Sequence, residues 1–358
     1  MPIPIRRGAR IRRPVLAART PDVANEAIDQ LSAALERALR PRFGEVRIED
    51  LRRLTGGASR ETWSFDAVDA SGARRELLLR RDFPGGATQN PDLLAGRPDA
   101  LDRAGEYALL EALHARGLQV PLPVTLPEAE ELQGSFIMER IFGESRPHVI
   151  VREYGDSTGE GSLAAQLGAA LAAIHALGAG DLPPLPRRGA SEKLEVVRAL
   201  LDRGPARPVL ELALRWCTDN VPRDEGLRLV HGDFRTANYI LADGGLRSII
   251  DWEFAHLGDR HEDLAFLCMR AWRFGADDRE VGGIGRRSDL YRGYGAAGGE
   301  PIDTGAIHYA DVLVHLFTGA VFMMRGVQYR EGTERSLEGA AISRRIAEIE
   351  YDLLQLLS

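Results

Sequence analysis

Three oxygen-bearing side chains, Asp233, Asn238 and Asp251, flank one predicted β-hairpin. Asp233 closely follows the apolar stretch LRLV, and Asn238 directly precedes the short strand YIL. The turn DGG then reverses the chain, and the return strand ends at Asp251. We therefore expect the three side chains to converge at one end of the hairpin. Carboxylate and amide oxygens suit Mg²⁺, which completes its shell with water and phosphate oxygens, so the pattern predicts a magnesium and phosphate site.

The spacing H-x-D-x-x-x-x-N, from His231 to Asn238, is that of the protein-kinase catalytic loop. Asp251 falls where the metal-binding Asp of the next kinase segment stands. In that arrangement Asp233 accepts the proton of the attacking hydroxyl or orients it, while Asn238 and Asp251 hold the metal. The alternative interpretation is a capped hairpin whose buried His and Asp are satisfied within the fold.

Upstream residues could supply the rest of a nucleotide site. Gly56, Gly57 and Ser59 lie in LTGGAS between two predicted strands, where backbone N–H groups could wrap phosphates, although a Gly-Gly turn is common in hairpins. The strand ELLLRR ends in cations, and Arg80 is the better candidate of the two arginines. Glu106, on a predicted helix, could pair with that cation. Glycine loop, strand cation and helix acid follow the order of a kinase-like site.

The composition bounds the possible classes of protein. A chain of 358 residues is too long for one compact core, so we expect two domains or one divided domain. The net charge of -7 argues against a nucleic-acid binder. No uninterrupted apolar stretch approaches the roughly 18 residues of a membrane span. The two cysteines exclude a disulfide framework and fit a reducing cytoplasm, so we expect a cytoplasmic protein with no nucleic-acid or membrane partner.

The pattern of apolar residues predicts an α+β fold of two lobes. Residues 1–44 form a basic tail and an N-terminal helix, which we expect to begin near Pro21 and to end before Pro41. Residues 45–138 form a small β-rich lobe, an antiparallel sheet plus one helix. Residues 139–358 form a larger, mainly helical lobe that contains the catalytic loop region 229–263. A ligand site is expected in the cleft between the lobes.

The sequence resembles the aminoglycoside phosphotransferase and choline kinase-like family, which has a protein-kinase-like fold. The resemblance rests on the runs LTGGASRETWSF, ELLLRRDF, GEYALLEALHARG, FIMERIFG, HGDFRTANYIL and IIDWEFAHLGDRHEDLAFLC. The last of these runs is most similar to a branch related to the kinase-like domains attached to some acyl-CoA dehydrogenases. The resemblance covers most of the chain, and its motifs agree with the site inferred from spacing.

The resemblance implies a role for each residue of the catalytic segment. Asp233 would be the catalytic base, and Asn238 and Asp251 would bind Mg²⁺. His231 would be a scaffold residue that fixes the catalytic loop through hydrogen bonds. Asp263 would cap and anchor the loop that follows the metal site.

The resemblance also implies the nucleotide contacts. Met138, Glu139 and Ile141 would lie at the hinge beside the adenine, and Glu106 would pair with the strand cation. Arg80 stands where the family usually has lysine. An arginine can still bridge phosphate and carboxylate, although its fork is larger and planar.

These observations predict an ATP- and Mg²⁺-dependent phosphotransferase that moves the γ-phosphoryl group to a hydroxyl of a small molecule. The resemblance to the branch associated with acyl-CoA dehydrogenases favours a hydroxylated acyl or similar metabolite as the acceptor. An aminoglycoside is less favoured, since no long acidic run follows Gly143. One alternative is a nucleotide- or acyl-CoA-binding pseudokinase module without turnover, motivated by Arg80. A metal-dependent phosphatase is a third interpretation. The sequence does not determine the oligomeric state.

Overall fold

The computed structural model describes residues 21–54, 61–82, 100–155, 158–223, 226–333 and 337–358. Gly56, Gly57 and Ser59, the predicted phosphate loop, lie outside the described residues. The two-lobed α+β architecture expected from the sequence is confirmed: a five-stranded antiparallel sheet forms the N-terminal part, and helices dominate the C-terminal part.

In the part of the chain that the structure describes, the small lobe contains one sheet and two helices. The helices are α1 (Pro21–Phe43) and α2 (Arg103–Ala115). The strands are β1 (Val46–Arg53), β2 (Glu61–Asp69), β3 (Arg74–Arg81), β4 (Pro123–Thr125) and β5 (Ser135–Glu139). Their order in the sheet is β1-β2-β3-β5-β4, and every neighbouring pair is antiparallel.

The two faces of the sheet bury different sets of residues, because successive side chains of a strand point to opposite sides. Leu77 and Leu79 of β3 belong to a buried cluster with Leu35 and Leu39 of α1. Leu78 packs against the second cluster, which includes α2 and the core of the large lobe. The alternation puts Arg80 on the same side of β3 as Leu78, toward α2.

Helix α1 runs through Pro41 and ends at Phe43, so the expected end before Pro41 is wrong. Proline removes one N–H donor from a helix, which weakens but does not forbid its last turn. Leu35 and Leu39 are fully buried against the sheet, and this burial favours continuing the helix. Gly44, at φ 72°, then ends it, and its N–H donates to the Arg40 carbonyl at 2.9 Å.

The segment between the lobes is fastened to the large lobe. Glu144 and Leu241 exchange two backbone hydrogen bonds of 2.8 and 2.9 Å. Gly143 lies at φ 151°, and a Cβ atom there would be 2.3 Å from the Leu241 carbonyl oxygen. Only glycine fits this close approach, so the conformation of the connection is set by one residue.

The large lobe combines nine helices with two small β ladders in the described residues. The helices are α3 (Pro147–Tyr154), α4 (Leu163–His175), α5 (Ala190–Arg203), α6 (Pro208–Asp219), α7 (His261–Cys268), α8 (Arg287–Ala296), α9 (Thr304–Glu331), α10 (Leu337–Arg344) and α11 (Ile346–Leu356). The strands are β6 (Arg228–Val230), β7 (Tyr239–Ala242), β8 (Gly245–Ile249) and β9 (His256–Gly258). β6 pairs with β9, and β7 pairs with β8.

Helix α9 is the central helix of this lobe. By length and composition it could cross a membrane, and no other helix in the described ranges meets that test. In the fold, 83% of its most apolar window is buried against the protein itself. That burial is typical of a core helix.

Candidate active site

The loop of residues 231–238 joins β6 to the β7–β8 hairpin and carries three of the predicted site residues, His231, Asp233 and Asn238. The Asn238 side-chain amide donates to the Asp233 backbone carbonyl at 2.9 Å and to Asp233 Oδ2 at 2.7 Å. The Ile250 N–H donates to the Asn238 carbonyl at 2.9 Å, which holds the end of the return strand beside Asn238. Asp251 is the next residue, so the hairpin brings the three predicted side chains to one end.

Asp263 holds the start of this loop. Its carboxylate accepts the His231 N–H at 2.7 Å and the Gly232 N–H at 3.0 Å, and it lies 3.3 Å from His175 Nε2. Burial alone would raise the pKa of Asp263, but these hydrogen bonds and the neighbouring histidines lower it below the ordinary value. Asp263 therefore anchors the backbone that precedes Asp233, and its role after the metal site stays a prediction.

His231 links the loop to the end of the hairpin. Its Nδ1 accepts the Asp233 N–H at 3.2 Å, which requires the ring proton to be on Nε2. The Nε2–H then donates to the Ile250 carbonyl at 3.0 Å. Both ring nitrogens are occupied by backbone groups, which is the geometry of a scaffold residue and not of a proton carrier.

Two residues of the site have strained backbone conformations. Asp251 has φ 69° and ψ 57°, and Ala237 has φ 110°. Each such conformation costs roughly 1–3 kcal/mol in a residue other than glycine and is found mainly at functional sites. At Asp251 it ends the extended backbone of β8 and begins the short helical turn Trp252–Phe254.

Arg80 reaches this end of the hairpin from the small lobe. Its Nη2 hydrogen-bonds Asp251 Oδ1 and lies 3.6 Å from Glu253 Oε2, and its Nε lies 3.5 Å from Glu106 Oε1. Burial raises the pKa of Asp251, but the charge and hydrogen bond of Arg80, together with the charges of Arg235 and His231, lower it overall. The following arginine, Arg81, instead donates to Glu61 at 2.8 Å, so Arg80 is the strand cation that meets Glu106.

Sequence reasoning missed three charged residues of this cluster. Arg103 is buried and pairs with Glu106, Glu253 faces Arg80, and Arg235 Nε lies 3.3 Å from Asp233 Oδ1. Arg235 was detectable, because it is a cation between Asp233 and Asn238 in the sequence. Glu253 carries no such local signal, since its partner Arg80 comes from a distant segment; for Arg103 the signal was its i,i+3 spacing to Glu106 on α2.

The predicted hinge residues lie where the lobes join. Met138 is buried in β5 opposite Leu78, and Glu139 is exposed at the end of that strand. The Glu139 N–H donates to the Leu122 carbonyl at 2.9 Å. Ile141 follows the strand and is half-buried.

A small cavity that opens to solvent lies beside the loop 231–238. It is formed by α5, α7 and α9 together with the loop and β9, and is lined by Arg188, Lys193, Val196, Gly232, His256, Glu262, Asp263, Phe266, Leu313, Val314 and Phe317. Lys193, the only lysine in the chain, pairs with Glu262. Burial, and then the charge of Lys193, holds the pKa of His256 well below its usual range.

The donor set fits a hard cation such as Mg²⁺ that is bound together with phosphate. Asn238 uses its amide nitrogen for both contacts with Asp233, which leaves Oδ1 for a metal. Arg80 contacts Oδ1 of Asp251 and leaves Oδ2. Within the described ranges no three His, Cys, Asp or Glu side chains cluster as a metal site. A bound cation would therefore depend on Asn238 and on phosphate oxygens to complete its shell.

Comparison with known proteins places this arrangement in a family. Residues 50–299 match the phosphotransferase enzyme family. The mouse acyl-CoA dehydrogenase family member 10 is 25% identical over 234 residues, which are 62% of this chain and 20% of that protein. The chain thus spans about a fifth of the length of that relative.

Two solved structures share the fold. A choline/ethanolamine kinase family protein from Mesorhizobium loti is 18% identical, with a TM-score of 0.61 over 91% of this chain and 95% of that one. Spectinomycin phosphotransferase in complex with ADP and spectinomycin is 16% identical, with a TM-score of 0.58 over 90% of this chain and 98% of that one. The match over residues 50–299 covers well over half of the sequence, and the chain belongs to the phosphotransferase enzyme family.

Proposed function

We propose that this protein transfers the γ-phosphoryl group of ATP to a hydroxyl group of a small molecule, with Mg²⁺ as cofactor. The observation that carries the proposal is the hydrogen-bonded pair of Asp233 and Asn238, held next to Asp251 at the point where Arg80 enters from the other lobe. Family membership supports small-molecule kinase activity in general.

Asp233 is the group that meets the acceptor in this proposal. The acceptor oxygen forms a bond to the γ-phosphorus, the bond from that phosphorus to the ADP oxygen breaks, and the hydroxyl proton passes to an Asp233 oxygen. Such transfer depends mainly on positioning and on charge neutralisation. Base assistance adds roughly 10²–10⁴-fold.

Asn238 and Asp251 would hold Mg²⁺, and the bound metal would neutralise charge on the phosphates. Arg80 would bind phosphate oxygens through its planar fork. Met138, Glu139 and Ile141 would border the adenine. The ADP complex of spectinomycin phosphotransferase, which has the same fold, supports a nucleotide in the cleft. Gly56, Gly57 and Ser59 stay a prediction for the phosphate loop.

The cavity beside the loop 231–238 is the candidate acceptor pocket, because Gly232 in its wall precedes Asp233. Five of its lining residues are apolar. Its two acids are already engaged, Glu262 by Lys193 and Asp263 by backbone N–H groups. A polycationic aminoglycoside would need unengaged acidic groups, so this lining favours a partly apolar acceptor such as a hydroxylated acyl or similar metabolite.

A nucleotide- or acyl-CoA-binding module without turnover is the second candidate. It is favoured by one observation: Arg80 contacts the carboxylate that the catalytic proposal gives to the metal.

We propose that the protein is cytoplasmic, on the basis of its two free, buried cysteines.

The first test is a calorimetric titration with ATP in the presence and absence of Mg²⁺, followed by an acceptor screen that detects ADP. We expect Mg²⁺-dependent ATP binding, and ADP release that depends on a hydroxylated acceptor. ATP binding with no ADP from any acceptor favours the binding module, and phosphate release without an acceptor favours a phosphatase.

The Asp233→Asn variant tests the catalytic assignment. We expect turnover to fall by at least ~100-fold, since base assistance is lost, while the ATP dissociation constant changes little. The matched control is Asp243→Asn in the exposed β7–β8 turn, where asparagine also tolerates the φ of 52°. Undiminished turnover in Asp233→Asn would overturn the assignment.

A further inference from the structure

Arg80 meets three carboxylates from two separate segments. Glu106 comes from α2, Asp251 from the end of the β7–β8 hairpin, and Glu253 from the short turn after Asp251. The Arg80 side chain is only 13% exposed, and those of Glu106 and Glu253 are 2% and 5% exposed. The whole cluster is therefore largely out of water, where unbalanced charge is strongly unfavourable.

The charges of this cluster divide unequally between two arginines. Glu106 already has a buried partner in Arg103, which also donates to the Leu101 carbonyl at 3.0 Å. Asp251 and Glu253 both face the charge of Arg80 as well. The geometry allows this, because Nη2 of Arg80 contacts Asp251 and lies 3.6 Å from Glu253 Oε2.

Glu253 is held firmly in place relative to α2. Its backbone carbonyl accepts the Leu101 N–H at 2.7 Å, directly before that helix. Asp251, in contrast, is the carboxylate that the proposed function assigns to the metal. If Asp251 turned from Arg80 toward a bound Mg²⁺, Glu253 and Glu106 would remain as the carboxylates that hold the guanidinium.

We propose that Glu253 is a positioning residue that retains Arg80 in the phosphate site when Asp251 binds the metal. The role depends on arginine, since a guanidinium presents several nitrogens to Glu106, Asp251 and Glu253 at once, whereas a lysine presents a single ammonium group. This inference rests on the proposed function, because it assumes that nucleotide and Mg²⁺ bind here.

The test is the affinity for ATP of Glu253→Gln, measured by calorimetry with and without Mg²⁺. Without Mg²⁺, Asp251 still holds Arg80, and we expect the dissociation constant to stay within about twofold of wild type. With Mg²⁺, Asp251 is engaged by the metal. We then expect the dissociation constant for ATP to rise about tenfold, which corresponds to roughly 1.4 kcal/mol. A merely structural role of Glu253 would weaken binding equally in both conditions.

The double variant Arg80→Gln/Glu253→Gln shows whether the effect acts through Arg80. Loss of Glu253 should change nothing further in the Arg80→Gln background. Arg80→Lys keeps the positive charge but places it on one nitrogen, so its ATP affinity with Mg²⁺ should be close to that of Glu253→Gln. If Glu253→Gln does not fold, Arg80→Lys serves as the test variant in its place. The matched control is Glu348→Gln, because Glu348 also pairs with an arginine, Arg345, which directly precedes α11. This variant should bind ATP as wild type does.

The outcomes separate the two proposals. Equal or tighter binding by Glu253→Gln with Mg²⁺, or an undiminished effect in the Arg80→Gln background, would overturn the role of Glu253 and leave the proposed function standing. Failure of the wild-type protein to bind ATP with Mg²⁺ would overturn the proposed function and this inference with it.

Discussion

At the scale of single residues, the predicted site is organised by buried hydrogen bonds from side chains to the backbone. Asp263 and His231 make no contact that requires a ligand, yet together they fix the start of the loop 231–238 and the end of the hairpin. Charge-assisted hydrogen bonds of this kind are strong, and an unmatched N–H left behind in the interior is costly. The position of Asp233 thus depends on residues that do no chemistry.

The Asp263→Asn variant tests this dependence. An amide accepts through one oxygen only, so the substitution leaves a buried N–H of His231 or Gly232 without its acceptor. We expect the free energy of unfolding to fall by about 1–3 kcal/mol in chemical denaturation. Asp181→Asn is the control, since Asp181 also accepts a backbone N–H but is exposed, and it should change stability by less than about 0.5 kcal/mol. An equal loss in both variants would contradict a special anchoring role of Asp263.

At the scale of elements, the segment that links the lobes is attached to the large lobe by a pair of backbone hydrogen bonds, here called the clip. Residue 144 pairs with Leu241 on β7, and Gly143 makes the pairing possible by its close approach to the Leu241 carbonyl. Since β7 follows Asn238 directly, the clip also ties the hinge to the proposed catalytic segment. A change in the connection should therefore affect both stability and nucleotide binding.

Gly143→Ala tests the clip. The added Cβ would lie 2.3 Å from a carbonyl oxygen, so the backbone hydrogen bonds to Leu241 must break or shift. We expect a loss of about 1–3 kcal/mol in the free energy of unfolding, together with weaker ATP binding. Gly72→Ala is the matched control, because it shares a positive φ, 83°, but its Cβ would meet nothing within 4 Å. It should lose less stability and bind ATP normally; equal behaviour of the two would show that φ strain alone matters.

At the scale of the whole molecule, the folded protein keeps a histidine uncharged where three segments meet. His256 lies on β9 and faces α5 and α7, with Lys193 and Glu262 beside it. Burial and the Lys193 charge lower its pKa, so the folded state resists protonation that the unfolded chain accepts. Stability is then fully present above the ordinary histidine pKa of about 6.5 and is lost as pH falls below it.

We expect the free energy of unfolding to decline below about pH 6.5, with up to about 1.4 kcal/mol per pH unit coming from His256. A His256→Gln variant should show a shallower decline over the same range, as measured by urea denaturation at a series of pH values. His308→Gln is the control, because His308 is a half-buried histidine of α9 that packs against Trp216, and the variant should keep the decline of wild type. A slope unaltered in His256→Gln would show that His256 does not carry the effect.

The sequence by itself determined the local part of this protein. A hairpin with a short turn brings its own flanking residues together, so the convergence of Asp233, Asn238 and Asp251 followed from spacing alone. The strands and the α+β class followed from the alternation of apolar residues and from the turn signals. Helix α1 extends past its predicted end at Pro41 because burial of its apolar face outweighs the local effect of that proline. The roles of the site residues stay predictions.

Only the tertiary structure decided which charges meet across the cleft. Arg80 and Asp251 are 171 residues apart in the chain, and no local pattern encodes their contact or that of Arg80 with Glu253. The burial of Arg103 beside Glu106 also changes the charge balance of the cluster, although the i,i+3 spacing of that pair on α2 is local. Hydrogen bonds within a hairpin depend on neighbours in sequence, whereas the balance of buried charge depends on every segment that packs into the site.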